Sequence, residues 1–222
     1  MKKIIYILII VLCFILSYFI YRRLSFNNLI NDVIDHDTKI NYDTMIQLTL
    51  DNQSYSSKIE LDIRKADNIK KITINNYRNN KLESNIYEYW IKENKKYITY
   101  VYNGIEFEKR KSVNMINIDY KKLKDCILKI KSKRKNTYIV GMKAYDAYNI
   151  IYGSEVLSKK DLNKKIDVKI VKDDNKNFIK EISYKIDNLN NSSVDDKKTN
   201  YSVKIKNINI DNTNKIKLPF KR

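Results

Sequence analysis

The stretch KIELDIR at residues 58–64 alternates charged and apolar side chains without interruption. Successive side chains of a β-strand point to opposite faces of a sheet, so this period of two predicts a strand with one wet face and one buried face. Seven further stretches show the same alternation: residues 46–50, 72–74, 87–91, 105–107, 166–170, 182–186 and 201–205. The chain is therefore predicted to be mostly β.

Turn-forming residues separate these strands where an antiparallel meander needs them. They occur at residues 51–54, 79–80, 103–104, 173–175 and 190–193. Asn103-Gly104 is the sharpest hairpin signal, because both residue types accept the positive φ of a two-residue turn.

Helical periodicity precedes the strand pattern once and interrupts it in two further places. An apolar stripe predicts an amphipathic helix over 25–36, a second from 119 to about 133 and a third over roughly 144–152, and a weaker signal lies at 158–164. Runs of strands with segregated helices indicate an α+β fold. We expect an N-terminal transmembrane helix followed by a curved antiparallel sheet, a half-barrel, with two or three packed helices.

The run at residues 4–21 is the candidate membrane segment. It carries no charge and as a helix would extend about 27 Å, close to the thickness of a bilayer's hydrocarbon core. A cleavable signal would end in small residues, whereas this run ends in Tyr18 and Tyr21 beside two arginines, which suit a membrane interface. We predict a retained signal anchor over 1–23, which contacts membrane lipid through residues 4–21.

Cys13 raises the alternative of lipid attachment. It resembles a bacterial lipoprotein site in having Ile10 and Val11 before it, but Leu12 stands where that site needs a small residue. We interpret Cys13 as an apolar residue of the spanning helix. Basic pairs flank the helix on both sides, and long domains translocate largely regardless of charge. We therefore expect a single-pass protein of the cell membrane with residues 24–222 as an extracytoplasmic domain.

The net charge of +18 raises the question of a nucleic-acid partner. Lysines alternate with apolar residues on strand after strand instead of gathering on one element. This distribution is typical of a solvated surface, and we expect no nucleic acid as a partner. A cytoplasmic basic domain that binds nucleic acid is the alternative that this charge leaves open.

Residues that commonly perform catalysis are scarce in this chain. His36 is the only histidine, and with its neighbours Asp35 and Asp37 it falls short of the three or four converging ligands that a metal site needs. Cys126 lies among apolar residues, and three glycines cannot build a phosphate-binding loop. We expect no enzymatic activity, no metal and no cofactor.

The order of elements resembles the bacterial lipoprotein carriers of the LolA and LppX group. The similarity covers roughly residues 25–220 and lies in an amphipathic helix that leads into long meandering strands, in the stretch YIVGMK at 138–143 before a helix, and in the strand pair at 166–171 and 179–186. The ending at 201–205, 208–210 and 216–219 looks like the closing strands of that group, which finish in a similar step from apolar residues to a proline. In that group a concave sheet holds acyl chains, which implies a lipid-like ligand here.

Aromatic residues concentrated in two predicted strands form the candidate ligand-binding set. They are Tyr87, Tyr89, Trp90, Tyr97, Tyr100 and Tyr102. Such rings often line pockets for apolar ligands. The alternative is ordinary strand packing, since tyrosine is a common strand former.

The predicted helix over 119–135 forms the candidate membrane-surface set. Its net charge of +6 comes from two acidic and eight basic residues, which are Lys121, Lys122, Lys124, Lys129, Lys131, Lys133, Arg134 and Lys135. A basic amphipathic helix can lie on anionic lipid. The alternative is that its apolar stripe packs on the sheet while the lysines face water.

The sequence thus favours a membrane-tethered, non-catalytic binding domain, with a lipid-like or apolar ligand or an envelope protein as the partner. A structural or regulatory ectodomain, with its core filled by its own side chains, is the second hypothesis. The third is the cytoplasmic nucleic-acid-binding domain.

Overall fold

The structure, a computed structural model, describes residues 2–36, 42–52, 54–64, 67–93, 96–102, 106–111, 118, 120–152, 163–174, 178–190, 198–209 and 215–221. The helices in these ranges are α1 (Lys2–His36), α2 (Tyr120–Asp125) and α3 (Ala144–Tyr152). The strands are β1 (Tyr42–Asp51), β2 (Tyr55–Ile63), β3 (Ile69–Arg78), β4 (Lys81–Glu93), β5 (Lys96–Tyr102), β6 (Phe107–Lys111), β7 (Lys129–Arg134), β8 (Thr137–Lys143), β9 (Lys165–Lys172), β10 (Ile179–Asn190) and β11 (Lys198–Asn209).

All eleven strands form one antiparallel sheet in the order β6-β5-β4-β3-β2-β1-β11-β10-β9-β8-β7. The first six strands and the last five are each a meander, and the pairing of β1 with β11 joins the two. The sheet is open, because β6 and β7 lie at opposite ends of this order. The predicted α+β class, mostly β with an N-terminal helix, is confirmed.

Strand alternation places one row of apolar side chains across seven neighbouring strands. The register sets Ile72, Leu61, Ile46, Ile205, Ile182, Ile170 and Tyr138 side by side, one from each strand between β3 and β8. Each is at most 3% exposed. Full burial of one such side chain stabilises the fold by about 1.5–3 kcal/mol, so this row is the centre of the core.

Side chains from all three helices cover the same face of the sheet. Phe26 of α1, Leu123 of α2 and Ile150 of α3 are all buried in one cluster with the strand residues. The Tyr184 hydroxyl donates a buried hydrogen bond of 2.8 Å to the carbonyl of Ala147, which fixes α3 to β10. We call this the helix-covered face.

Helix α1 runs without a break across the predicted boundary at residue 23. The predicted helix over 25–36 is its C-terminal part, where Phe26 and Leu29 are 1% and 3% exposed. No glycine or proline interrupts residues 21–36, so nothing in the chain stops the helix where it leaves the apolar run. The apolar segment and the sheet domain therefore share one continuous helix.

The predicted helix from 119 to 133 is wrong beyond Asp125. Helix α2 ends there, and residues 129–134 form the edge strand β7. Its hairpin partner β8 follows a turn at Lys135 and Asn136, where Lys135 has a φ of 46°. Tyr120, Leu123 and Ile127, from the apolar stripe of the predicted helix, are buried, which agrees with the alternative that this stripe packs on the sheet. Beyond Asp125, pairing with β8 competes successfully with helical spacing in this lysine-rich stretch.

One further predicted turn and one further predicted helix are confirmed, and two other predicted elements lie wholly or mostly outside the described residues. Asn79 and Asn80 form the two-residue turn between β3 and β4, with φ values of 49° and 63°. Helix α3 begins and ends at the predicted residues. Residues 103–105 and most of the weak helix at 158–164 lie outside the described residues, although β5 and β6 on either side of Asn103-Gly104 do pair.

A buried polar group anchors one end of the β1–β11 seam. Asn207 is 4% exposed; its amide donates to the Tyr120 hydroxyl at 2.5 Å and to the Ile179 carbonyl at 2.8 Å, and its carbonyl accepts from Thr44 at 3.0 Å. One side chain thus joins β1, β10 and α2.

Asn207→Ala should lower the free energy of unfolding by about 2 kcal/mol, because it leaves buried partners without their hydrogen bonds. Urea unfolding of the detergent-solubilised chain, followed by the fluorescence of buried Trp90, measures this change. Asn85→Ala on exposed β4 is the control and should change stability by less than about 0.5 kcal/mol. Equal effects of the two changes would contradict the role of Asn207.

Candidate functional site

Four of the predicted aromatic residues lie on one face of the sheet. The register places Tyr87 opposite Tyr102 and Tyr89 opposite Tyr100. On the next strand, Phe107 lies opposite Tyr102 and stacks on it at a centroid distance of 4.8 Å. Rings directly opposite each other on an antiparallel pair are within reach of one another, so β4, β5 and β6 carry a continuous aromatic surface.

This surface lies on the side of the sheet opposite the helices. Trp90 follows Tyr89 and therefore points to the other face, where it is 7% exposed and belongs to the helix-covered core. Its indole N–H donates to Glu88 at 3.2 Å. Trp90 is thus separated from the predicted set, and the side chain of Tyr97 lies outside the described residues.

The C-terminal segment 215–221 lies over the aromatic surface. Phe220 approaches Phe107, Tyr100 and Tyr89 with centroid distances of 4.4, 5.0 and 6.1 Å. The backbone N–H of Ile216 donates to the Asp67 carboxylate at 2.8 Å, which fixes the start of the segment. The resemblance to the carrier group implies a closing strand over 216–219, but the structure places no strand over 215–221.

A cleft of about 430 Å³ opens beside this segment. We call it the aromatic cleft, and its walls are Lys71, Tyr87, Tyr89, Tyr102, Phe107 and Pro219. The Lys71 ammonium lies 5.4 Å from the centroid of the Tyr87 ring, a cation–π distance. Burial, and secondarily Tyr87, raise the pKa of the Tyr89 hydroxyl, so this phenol stays neutral to a higher pH than a solvated one.

The composition of the cleft defines what it can bind. Its size falls within the range of small-ligand sites, and its walls are aromatic apart from Lys71 and Pro219. Such a site can hold an apolar group against the rings while the ammonium meets an anionic group. The alternation of β4 and β5 predicted the tyrosines, but nothing in the sequence indicated that Phe220 returns to them.

The predicted membrane-surface residues divide among three elements. Lys121, Lys122 and Lys124 lie on α2; Lys129, Lys131, Lys133 and Arg134 lie on β7; and Lys135 lies in the following turn. They do not form one helical face. Instead β7 lies beside α1, and the Lys133 ammonium donates to the Ser25 hydroxyl at 2.8 Å.

Cys126 and His36 are the other side chains that the sequence offered as candidates for chemistry. Cys126 is half-buried, and burial, followed by Asp146, raises the pKa of its thiol. His36 is the last residue of α1, and its side chain lies outside the described residues. Within the ranges that the structure describes, no group of three or more His, Cys, Asp or Glu residues could hold a metal ion.

These features define an α+β protein in which an open antiparallel sheet follows a helix, Ile4–Leu29, that is long and apolar enough to cross a membrane. No family model and no curated protein matches the chain. Among solved structures, the chain is similar to a β-barrel-like protein of the domain of unknown function DUF1849 from Brucella abortus. The identity is 8% and the TM-score 0.27, over 76% of this chain and 96% of that chain. The fold assignment rests on the strand order and register described above.

Lys70 precedes the cleft residue Lys71 in β3 and therefore lies on the helix-covered face, where it is opposite Trp90 and 8% exposed. Burial, followed by the charge of Lys92, lowers the pKa of the Lys70 ammonium. Its charge therefore opposes folding at neutral pH, and this penalty fades as pH rises towards the unfolded-state pKa of about 10.4.

Lys70→Met should raise the urea midpoint at neutral pH, and the gain should shrink as the pH approaches about 10. Urea titrations across this pH range measure it. Lys180→Met, on an exposed position of β10, should produce no such pH-dependent gain. A loss of stability in Lys70→Met at neutral pH would show that the ammonium stabilises the fold.

Proposed function

We propose that the chain is a membrane-anchored extracytoplasmic domain that binds an anionic amphiphile without catalysis, and that the aromatic cleft is its binding site. The observation that carries the proposal is the aromatic surface of β4, β5 and β6 outside the helix-covered core. Rings needed only for the core would lie on the other face, as Trp90 does.

Anchoring is supported by the exposure of the apolar run. Every side chain from Ile4 to Tyr21 is exposed, and Phe14 reaches 72%. Monomeric soluble proteins rarely leave an apolar surface of this extent in water. The described residues of the chain do not cover this run, and a bilayer would supply the apolar surroundings that it needs.

The class of ligand follows from the walls of the cleft. Phe220 already places an apolar ring against Tyr89, Tyr100 and Phe107, so this surface accepts apolar groups. Lys71 adds one cation beside the rings. An apolar chain with an acidic headgroup, such as a fatty acid, satisfies both features. The resemblance to the LolA and LppX group supports a lipid-like ligand in the same way.

A structural or regulatory ectodomain is the second candidate, and a specific observation favours it. Phe220 fills part of the aromatic surface, and side chains of α1, α2 and α3 fill the helix-covered face. On this hypothesis segment 215–221 is a permanent cover and the cleft has no ligand.

The two candidates are separated by photo-crosslinking of the full chain in nanodiscs with a diazirine-bearing fatty acid, and by mapping the adducts. Tyr87→Ser should reduce adducts on β4–β6 severalfold, and Phe220→Ala should increase them, because it removes the competing ring. The structural candidate instead predicts few adducts there and none gained in Phe220→Ala.

Tyr77→Ser is the matched control for Tyr87→Ser. Both tyrosines are half-buried and both have a lysine ammonium over the ring, at 5.2 Å for Lys58 and Tyr77 and 5.4 Å for Lys71 and Tyr87. Only Tyr87 lines the aromatic cleft. Equal losses in the two variants would argue against the cleft as the site.

The proposed orientation has its own test. In a background with both Cys13→Ser and Cys126→Ser, the substitution Lys143→Cys places a single thiol at an exposed position of β8. A membrane-impermeant maleimide should label it in intact cells as fully as in lysed cells. Labelling only after lysis would place the domain in the cytoplasm. It would then favour the hypothesis of a cytoplasmic nucleic-acid-binding domain.

A further inference from the structure

A second cleft, far along the sheet order from the aromatic cleft, lies where α1 meets β8 and β9. We call it the junction cleft; its volume is about 460 Å³. It is lined by Tyr21, Leu24, Ser25, Asn28, Leu29, Tyr138 and Lys172. Helix α1 supplies one wall and the sheet supplies the other.

The Lys133 ammonium is held against this cleft by three of its lining residues. It donates to the Ser25 hydroxyl at 2.8 Å and lies 5.1 Å from the Tyr21 ring centroid and 5.3 Å from that of Tyr138. Lys172 lines the cleft from β9. Two cations on different strands therefore lie at this cleft: Lys172 in its wall, and Lys133 against three of its lining residues.

Arg22, which follows the lining residue Tyr21 in α1, has unused hydrogen-bonding capacity. Arg22 is 6% exposed, and its Nε and Nη2 atoms are buried with no hydrogen-bond partner among the described residues. Its guanidinium lies 5.4 Å from the Tyr18 ring centroid, which offers a cation–π contact but no anion. A buried guanidinium is normally paired with an anion, because leaving it unpaired costs free energy.

The position of the cleft along α1 indicates the source of the anion. Tyr21, which lines it, is the last residue of the charge-free run 4–21, and Arg22 and Arg23 follow directly. If that run spans the hydrocarbon core, Tyr21 and the residues after it lie at the depth of the lipid headgroups. The anion present there in quantity is the phosphate of phospholipids.

We propose that the junction cleft binds the phosphate of an anionic phospholipid from the bilayer that anchors α1. Lys133 and Lys172 pair with the phosphate, the buried charge of Arg22 adds positive potential next to Tyr21, and Tyr21, the last residue of the apolar run, contacts the adjoining acyl region. This inference rests on the proposed anchoring but not on the aromatic cleft. Because α1 continues into the core at Phe26 and Leu29, a bound lipid would also fix how the sheet is held at the membrane surface.

Native mass spectrometry of the full chain in detergent tests the proposal, with phosphatidylglycerol and phosphatidylcholine titrated separately. Phosphatidylglycerol should bind at one saturable site and more tightly than phosphatidylcholine. Lys133→Gln and Lys172→Gln should each weaken its binding about fivefold, the effect expected from one basic residue beside anionic lipid. Arg22→Gln should also weaken it, and Lys133→Arg should restore it.

Lys143→Gln is the control, because it removes the same charge from the exposed end of β8. It should leave the affinity unchanged. Equal affinity for the two lipids, or equal loss in Lys143→Gln and Lys133→Gln, would overturn the inference. Displacement of the lipid by inorganic phosphate at a similar concentration would assign the site to free phosphate and would also overturn it.

Failure of the anchoring proposal has a different signature. A chain that stays monodisperse in buffer after the detergent is removed, and does not float with phosphatidylcholine liposomes, would contradict anchoring itself. A chain that floats with these liposomes but shows no preference for phosphatidylglycerol would contradict only the junction site. Trp90 fluorescence of each variant shows whether the core is intact, and Lys133→Gln and Lys172→Gln test the site independently of each other.

Discussion

The antiparallel pairing of β1 with β11 is the interaction on which the rest of the structure depends. Each meander alone has only part of the apolar row that crosses from Ile72 to Tyr138, and the seam at Ile46 and Ile205 makes the row continuous. The two strands are separated by most of the chain, so closing them is entropically expensive. Burial of the row, and the Asn207 contacts with Thr44 and Tyr120, offset that cost.

Once the seam is formed, strand alternation gives the sheet two unlike faces. The helix-covered face is apolar along its whole centre. The opposite face is polar across β1 and β2, where Gln47 donates to Glu60, and aromatic across β4–β6. Because Phe220 folds back onto the aromatic part, the chain has a small second apolar cluster at one end of the sheet. A binding surface that needs apolar character can occur there without disturbing the main core.

The local part of this architecture could be predicted from the sequence, whereas the non-local part could not. The uninterrupted alternation at 58–64 is enough to predict that Leu61 is buried. The pairing of Tyr87 with Tyr102 depends on a single hairpin between strands that are adjacent in sequence. Strand β7 was missed because Leu123, Ile127 and Ile130 also match helical spacing, and pairing with β8 decided between the two periods. The return of Phe220 and the buried position of Arg22 depend on contacts with residues distant in sequence, which no local pattern records.

Helix α1 connects the exposed apolar segment to the sheet domain in a way that a flexible linker would not. A helix without glycine or proline transmits orientation, and here the same helix has exposed apolar side chains up to Tyr21 and core side chains at Phe26 and Leu29. Little more than one helical turn separates the last residue of the exposed run from the first core residue of the helix. The helix therefore fixes the orientation of the sheet relative to the apolar segment. Lys133 on the edge strand β7 reinforces this through Ser25. Strand β7 therefore lies beside the point where the apolar segment of α1 meets the sheet domain, whereas β4, β5 and β6, towards the other end of the strand order, carry the aromatic surface.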